Sequence, residues 1–465
     1  MRLPVVLAAA ALGSLAAPGV AGAATWSAPQ NLSSAHQFVD DPGLIVSQDG
    51  RALASWRFQD AIGDASRTGA SSASRPPGAG AFERPRALVP RTGADRRAET
   101  VEGLAAYGRS RALLASTRIV GTAVAPRIRL EVRFGRTDGR FGDRITIRRA
   151  GRTARTASRI AGVDLAVNAS GDAAVAWYED RGVRTDRVYV SLRRGGGRFG
   201  APRRLATGRI RGVAVAVGAS GDVLVAWDAR GVLRTRFKPR ARRGFRAADT
   251  IRSEDAFFAD MQPVVTPNGR AVLAWSAQLV GEGGESGELY YQAAVRPSGA
   301  GRFRRAKVLE QLGREQRDRP IDAVVDSTGR VVVAWSGLDG ATRRVRAAAD
   351  DPSGGFGPAQ DVSAPGEDAL LSDLAAGPGG RLIAVWDGGV EDPASSVRAA
   401  VAPAAGEPFG PPESVSPAGQ EARFGRAAFD PASGRATIVF SNRPEGSGRP
   451  VSEIETFAQA ATRSE

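Results

Sequence analysis

The stretch Gly162-Val-Asp-Leu-Ala-Val-Asn-Ala-Ser-Gly-Asp-Ala-Ala-Val-Ala-Trp177 decides the fold, because the chain writes it repeatedly. GVAVAVGASGDVLVAW follows at 212–227, QPVVTPNGRAVLAW at 262–275, IDAVVDSTGRVVVAW at 321–335 and SDLAAGPGGRLIAVW at 372–386. An earlier copy, GLIVSQDGRALASW, occupies 43–56, and weaker copies lie at 103–116 and 427–440. Each copy is two short apolar runs joined by a turn whose Gly supplies the positive φ of a tight hairpin. No apolar period of 3.6 residues is sustained, which excludes a helical solenoid.

A second half follows each hairpin. RVYVSLRRGGGRFGAPRRL (187–205) and RVRAAADDPSGGFGPAQDV (344–362) read as strand, Gly-rich turn, aromatic residue, strand. The aromatic recurs at Phe82, Phe141, Phe199, Phe245, Phe303, Phe356 and Phe409, and its eighth instance is Trp26, near the start of the chain. With the four strands named a to d, the chain therefore opens on d and closes on a-b-c. That permutation is what a closed ring needs if both ends sew one blade shut, and closure removes open sheet edges. The expectation is an all-β protein, an eight-bladed β-propeller of four-stranded blades closed by the N-terminal outer strand pairing with the C-terminal strands. It predicts residues 24–465 as a single propeller domain. Strands a and b are nearly continuous apolar runs, as strands covered on both faces are. Strand d carries Pro202, Pro358, Pro411 and Pro412, tolerated at a sheet edge, so d lies outermost and a at the axis. Six tryptophans end strand b at equivalent places, which reads as packing between blades.

Residues 1–23 read as a cleaved export signal: Arg2, an apolar Ala-rich run from Leu3, Pro18, then Ala21-Gly22-Ala23. An uncleaved anchor over 3–24 is the other reading, weakened by Gly13, Pro18 and Gly19. The absence of Cys excludes disulfides and thiolate chemistry, and the single histidine, His36, excludes HExxH-type metal sites. His36 reads as a loop residue. The formal charge is +15, and Lys238 and Lys307 are the only lysines, so the cationic surface is arginine. Export argues against nucleic acid as partner, and nothing beyond the signal is apolar enough to hold a membrane.

The c–d junctions resemble the Asp-box repeat of the sialidase superfamily. Thr137-Asp138-Gly139-Arg140-Phe141 matches it with gaps, and Asp350 to Phe356 keeps the acid, turn and aromatic in altered order. The a–b hairpins are similar to repeats of secreted proteins from high-GC Gram-positive bacteria. The resemblance implies a propeller, and for the family's enzymes it implies three arginines around a substrate carboxylate, a Tyr–Glu nucleophile pair and an Asp acid. Departures are substantial: sialidases have six blades, and no copy here is specialised. Tyr178-Glu179 is the best local match to the nucleophile pair. The GxGxxG match at 195–200 lies between strands, so it is a turn and not a dinucleotide site.

Strand order also assigns loops to faces. The d–a and b–c connections share one face, where acids recur at the start of strand a: Asp164, Asp322 and Asp373, with Gln262 in the same register. Asp40, Asp41, Glu102 and Asp260 fall close to it, and the b–c loops add Asp228, Asp387, Glu391 and Asp392 among others. The opposite face is basic. The expected binding residues at the axial mouth are Asp164, Asp322, Asp373, Gln262, Asp228 and Asp387. They could accept sugar hydroxyls or hold a hard cation such as Ca²⁺, or only bond loop N–H groups and shape turns. No other cofactor is expected. The functional expectation is a secreted, non-catalytic propeller binding a glycan, an anionic cell-wall polymer or a protein. The alternative is a sialidase-like glycoside hydrolase.

Overall fold

The structure, a computed structural model, describes residues 25–463 apart from 35–37, 63–64, 93–98, 122–125, 154–155, 158, 183–184, 254–255, 281–285, 300, 314–319, 352–354, 390–394 and 445–455. The export segment, His36, Glu391 and Asp392 lie outside the described residues.

Eight antiparallel sheets make up the described structure, and in the first seven the strands follow chain order from one edge to the other. The first strands form the inner ring: Phe38–Val46, Glu99–Tyr107, Arg159–Val167, Gly212–Val217, Ala256–Val265, Ile321–Val325, Ala369–Ala376 and Gln420–Phe429, in blades 1 to 8. Blade 8 takes its outer strand from the other end of the chain. Gln30–Asn31 lies against Phe457–Arg463, with Gln30 opposite Ala460 and Asn31 opposite Gln459. The Ser27 and Leu32 amides donate to the Thr462 and Ala458 carbonyls, each at 2.8 Å, and Trp26 bridges to Arg463. Trp26 thus takes the place that Phe141, Phe199 and Phe356 hold at their own junctions.

Two details depart from the sequence reading. Blade 2 has a fifth strand, Thr156–Ala157, because the chain doubles back on its outer strand before entering blade 3. In addition, Pro202, Pro358, Pro411 and Pro412 precede the outer strands rather than lying in them. A ring without an N–H cannot join the ladder, and the outer strands of blades 6 and 7 are only Gln360–Asp361 and Glu413–Ser414.

The core lies between blades. Strand b is covered on both sides, and Val223–Asp228 and Leu382–Gly388 are buried throughout. Trp56, Trp177, Trp227, Trp275, Trp335 and Trp386 are each no more than 1% exposed. Each packs against the blade before it: Trp177 against Leu113 and Leu130, Trp335 against Leu289 and Tyr291, Trp56 against Val439 and Ala460 of blade 8. A flat ring is thus buried at six of the eight joints, with Phe440 in the same place in blade 8 and Ser116 in blade 2. Trp177→Ala is expected to cost about 3–5 kcal/mol in urea unfolding, whereas Phe38→Ala, at a ring 45% exposed, should change stability by less than about 0.5 kcal/mol.

Candidate functional site

One register position organises the axial mouth. It is the inner-strand residue paired with the neighbour that precedes the recurrent Trp place, and around the ring it reads Gly43, Gly103, Asp164, Ala214, Gln262, Asp322, Asp373, Arg426. Where it is Asp, the carboxylate reaches the next blade. Asp164 accepts the Val215 amide at 2.7 Å, Asp322 the Leu374 amide at 3.0 Å, and Asp373 the Ala427 amide at 2.7 Å. Asp164 and Asp322 also accept the amide that follows them, at 2.8 and 2.7 Å. These expected ligand groups therefore tie inner strands together across blade joints, rather than shaping loop turns. Burial raises the carboxyl pKa of all three, and the neighbouring charge of Asp373 helps push Asp322 to about 7.

Asp228 and Asp387 follow their tryptophans and are buried. Asp228 accepts the Gly231 amide at 3.0 Å and interacts with the backbone of Phe258 in blade 5. Asp387 accepts the Ser372 hydroxyl at 2.8 Å and the Phe424 amide at 3.0 and 3.2 Å. Burial lifts the Asp387 carboxyl to about 6. Among the six expected residues, Gln262 alone has no side-chain hydrogen-bond partner among the described residues, and it faces a cleft.

Blades 1 and 2 have glycine at the tying position, so no side chain spans the joint there. A cleft of about 680 Å³ opens beside Gly43 and Gly103 and reaches the axis at Asp373 and Arg426. Its wall holds Arg57, paired with Asp40 at 2.9 and 2.8 Å, and Glu102, which accepts the Thr117 hydroxyl. Burial raises the Glu102 carboxyl pKa. A second cleft of about 540 Å³ lies over blades 5 to 8, lined by Gln262, Asp322, Asp387 and Phe424. Arg426 borders both clefts, its side chain 45% exposed.

Phe424 is the residue that the sequence reading missed. It is 49% exposed, with φ of 62°, and a bulky side chain in the left-handed region marks strain held by its surroundings. Asp41, Gly162 and Asp260 take the same turn two places before the tying position, so an aromatic in a series of Asp and Gly was the available signal. The Asp387 carboxylate grips the Phe424 amide and holds the ring out over the cleft. Phe38 and Phe257 stand exposed at the inner-strand starts of blades 1 and 5.

Tyr178 and Glu179 do not converge. They are successive residues of one strand, Ala173–Asp180, and point to opposite faces of the sheet. Glu179 is buried against Arg148 of blade 2 at 2.6 Å, while the Tyr178 ring lies beside Gly162 and Val213. Among the described residues, no three acids gather closely enough to hold a metal ion. At the Asp-box-like junction, Asp138 accepts the Arg140 amide at 3.0 Å and shapes the turn.

No family model matches the sequence, and no curated protein matches it. Among solved structures, the chain is similar to a prolyl endopeptidase at 16% identity and a TM-score of 0.46, covering 89% of this chain and 54% of that one. It thus spans about half the length of that endopeptidase. It is also similar to a Hadza microbial sialidase (12% identity, TM-score 0.38, 64% and 63% covered) and to a NanB sialidase from Streptococcus pneumoniae (9%, 0.37, 92% and 68%). At these identities and TM-scores the likenesses transfer neither residues nor activity.

The raised carboxyl pKa values have a definite consequence for stability. A carboxyl with an ordinary value of 3.8 that titrates near 7 when folded binds its proton more tightly in the native state. That contribution is fully present below the ordinary value and is lost as the pH rises through about 7. Tm should therefore fall across this window, and Asp322→Asn, which holds no charge, should flatten the fall when melting is followed against pH.

Proposed function

We propose that the chain is an exported, non-catalytic propeller that binds a glycan at its axial mouth. The observation that carries this reading is Phe424, a strained and exposed ring on the wall of the second cleft, two residues from the Arg426 that borders both. A flat apolar ring stacks on the C–H face of a pyranose, and a pocket of this kind needs few but well-placed polar groups around it. Arg426, Gln262, Arg57 and Glu102 line the clefts and supply donors and acceptors for sugar hydroxyls. In this reading the acids expected from the sequence act one step removed. Asp387 positions Phe424, and Asp322 and Asp373 hold the inner strands that form the rim.

Export rests on the N-terminal signal pattern, and among the described residues no helix is long and apolar enough to cross a membrane. The non-catalytic part rests on the divergence of Tyr178 and Glu179 and on the salt bridge that occupies Glu179.

The test is binding to a panel of cell-wall and soluble polysaccharides, beside turnover of fluorogenic glycosides. Phe424→Gly separates function from folding, because it removes the ring and the left-handed strain together. It should weaken glycan retention about tenfold or more while holding or raising stability by about 0.5–1 kcal/mol. Unchanged retention would contradict the site, and glycoside turnover abolished by Glu179→Gln would contradict the absence of catalysis.

A further inference from the structure

The face opposite the axial mouth holds a second groove, between blades 2 and 3. It has a volume of about 880 Å³ and is lined by Arg109, Arg111, Arg136, Arg140 and Arg193, with no carboxylate in its wall. Arg193 is the floor. Its guanidinium lies 4.7 Å from the Phe134 ring centre and 5.2 Å from that of Tyr107, and donates to the Gly171 and Gly197 carbonyls. The other four stand exposed around the rim. Asp138 lies 3.8 Å from Arg136, but among the described residues no acid pairs with Arg109, Arg111 or Arg140.

The positive surface continues beyond the groove. Arg194 donates to the Arg240 carbonyl at 2.6 Å and Arg203 to the Arg243 carbonyl at 2.8 Å, carrying arginine from blade 3 onto blade 4. Asp172 and Asp222 are the acids along this path. They accept the Gly195 and Arg240 amides at 2.7 and 2.6 Å, and so cap the junction loops, and Asp172 also lies 3.6 Å from the Arg240 guanidinium. Residues 126–246 hold 29 basic against 10 acidic groups, whereas 350–465 hold 8 against 17.

We propose that this groove and its extension bind an anionic polysaccharide, independently of the axial mouth. Guanidinium groups that outnumber the acids of one sector repel each other, and a field of one sign concentrates a polyanion along it. Arginine recognises carboxylate, sulfate or phosphate oxygens with paired N–H groups. The charges spread over three blades, which matches a chain carrying repeated anions better than a single small ion. Nucleic acid fits less well. Single strands are held by stacking bases on accessible aromatics, and here Tyr107 is buried and Phe134 lies beneath Arg193.

The experiment measures retention on immobilised dextran sulfate, polygalacturonate, uncharged dextran and single-stranded DNA at low and high salt. Both polyanionic sugars should be held and then released by salt, and dextran should not be retained. R109E/R140E should weaken that binding about tenfold or more, against less than about threefold for R302E/R305E, the same charge change on blade 5. R109Q/R140Q, which adds no negative charge, should give a smaller loss at wild-type Tm and covers the case in which the reversal variant fails to fold. Equal losses from the two reversal variants would overturn the site, since net charge alone would then explain retention. Tighter binding of DNA than of either polysaccharide would overturn the ligand class.

Discussion

Eight blades make a ring only if the last is joined to the first, and a two-residue strand makes that joint. Gln30 and Asn31 enter the ladder of the C-terminal strand, while Trp26 fills the aromatic place at its junction. The pairing is short, but the bonds on either side of it, from Ser27 to Thr462 and from Leu32 to Ala458, extend the contact. Arg75 of blade 1 reinforces it from the neighbouring blade, donating to Thr437 and Thr462 at 2.8 Å. Without closure there would be no axis for the inner strands to surround, and the edge of blade 8 would be open to other chains.

Closure turns a linear repeat into a set of equivalent positions, and function can enter where equivalence is broken. Most joints carry a carboxylate or hydroxyl tie. Besides the inner-strand acids, the Ser336 hydroxyl accepts the Leu371 amide at 2.8 Å and the Ser441 hydroxyl donates to the Val39 carbonyl at 2.6 Å. At Gly43 and Gly103 the inner-strand tie is absent and a cleft appears; at Phe424 a turn kept by Asp or Gly elsewhere presents an aromatic ring. Glycine at 103 also answers to packing, since a Cβ there would come within 2.9 Å of Leu165. The two faces then diverge, with mixed polar clefts at the mouth and an arginine-rich groove behind.

The architecture was legible because it is written in repeats. Blade number, strand order, ring permutation and the packing role of the tryptophans follow from recurrence at fixed spacing, which one domain can satisfy in few ways. The site was legible only in part. Asp164, Asp322 and Asp373 were found by their register, but a pattern cannot tell a carboxylate that meets a ligand from one that meets the next blade's amide. That difference depends on how neighbouring inner strands are offset. Phe424 was hidden for a related reason. Its meaning lies in a backbone turn, and the turn becomes visible only through the bulges that the inner strands share. The extra strand of blade 2 and the displaced prolines were local matters that repeat alignment averages away.

The closed ring is tested most directly by a disulfide placed at its seam. The chain has no cysteine, so Asn31→Cys with Gln459→Cys gives a single possible intramolecular pair. These two residues face each other in the ladder, at the separation of about 4.5–5.5 Å that antiparallel partners keep and a disulfide spans. Mild oxidation of the folded, monomeric protein should link them nearly completely and raise Tm. Thiols that stay free in the folded protein, or that link only between molecules, would show that the N-terminal strand does not close its own ring.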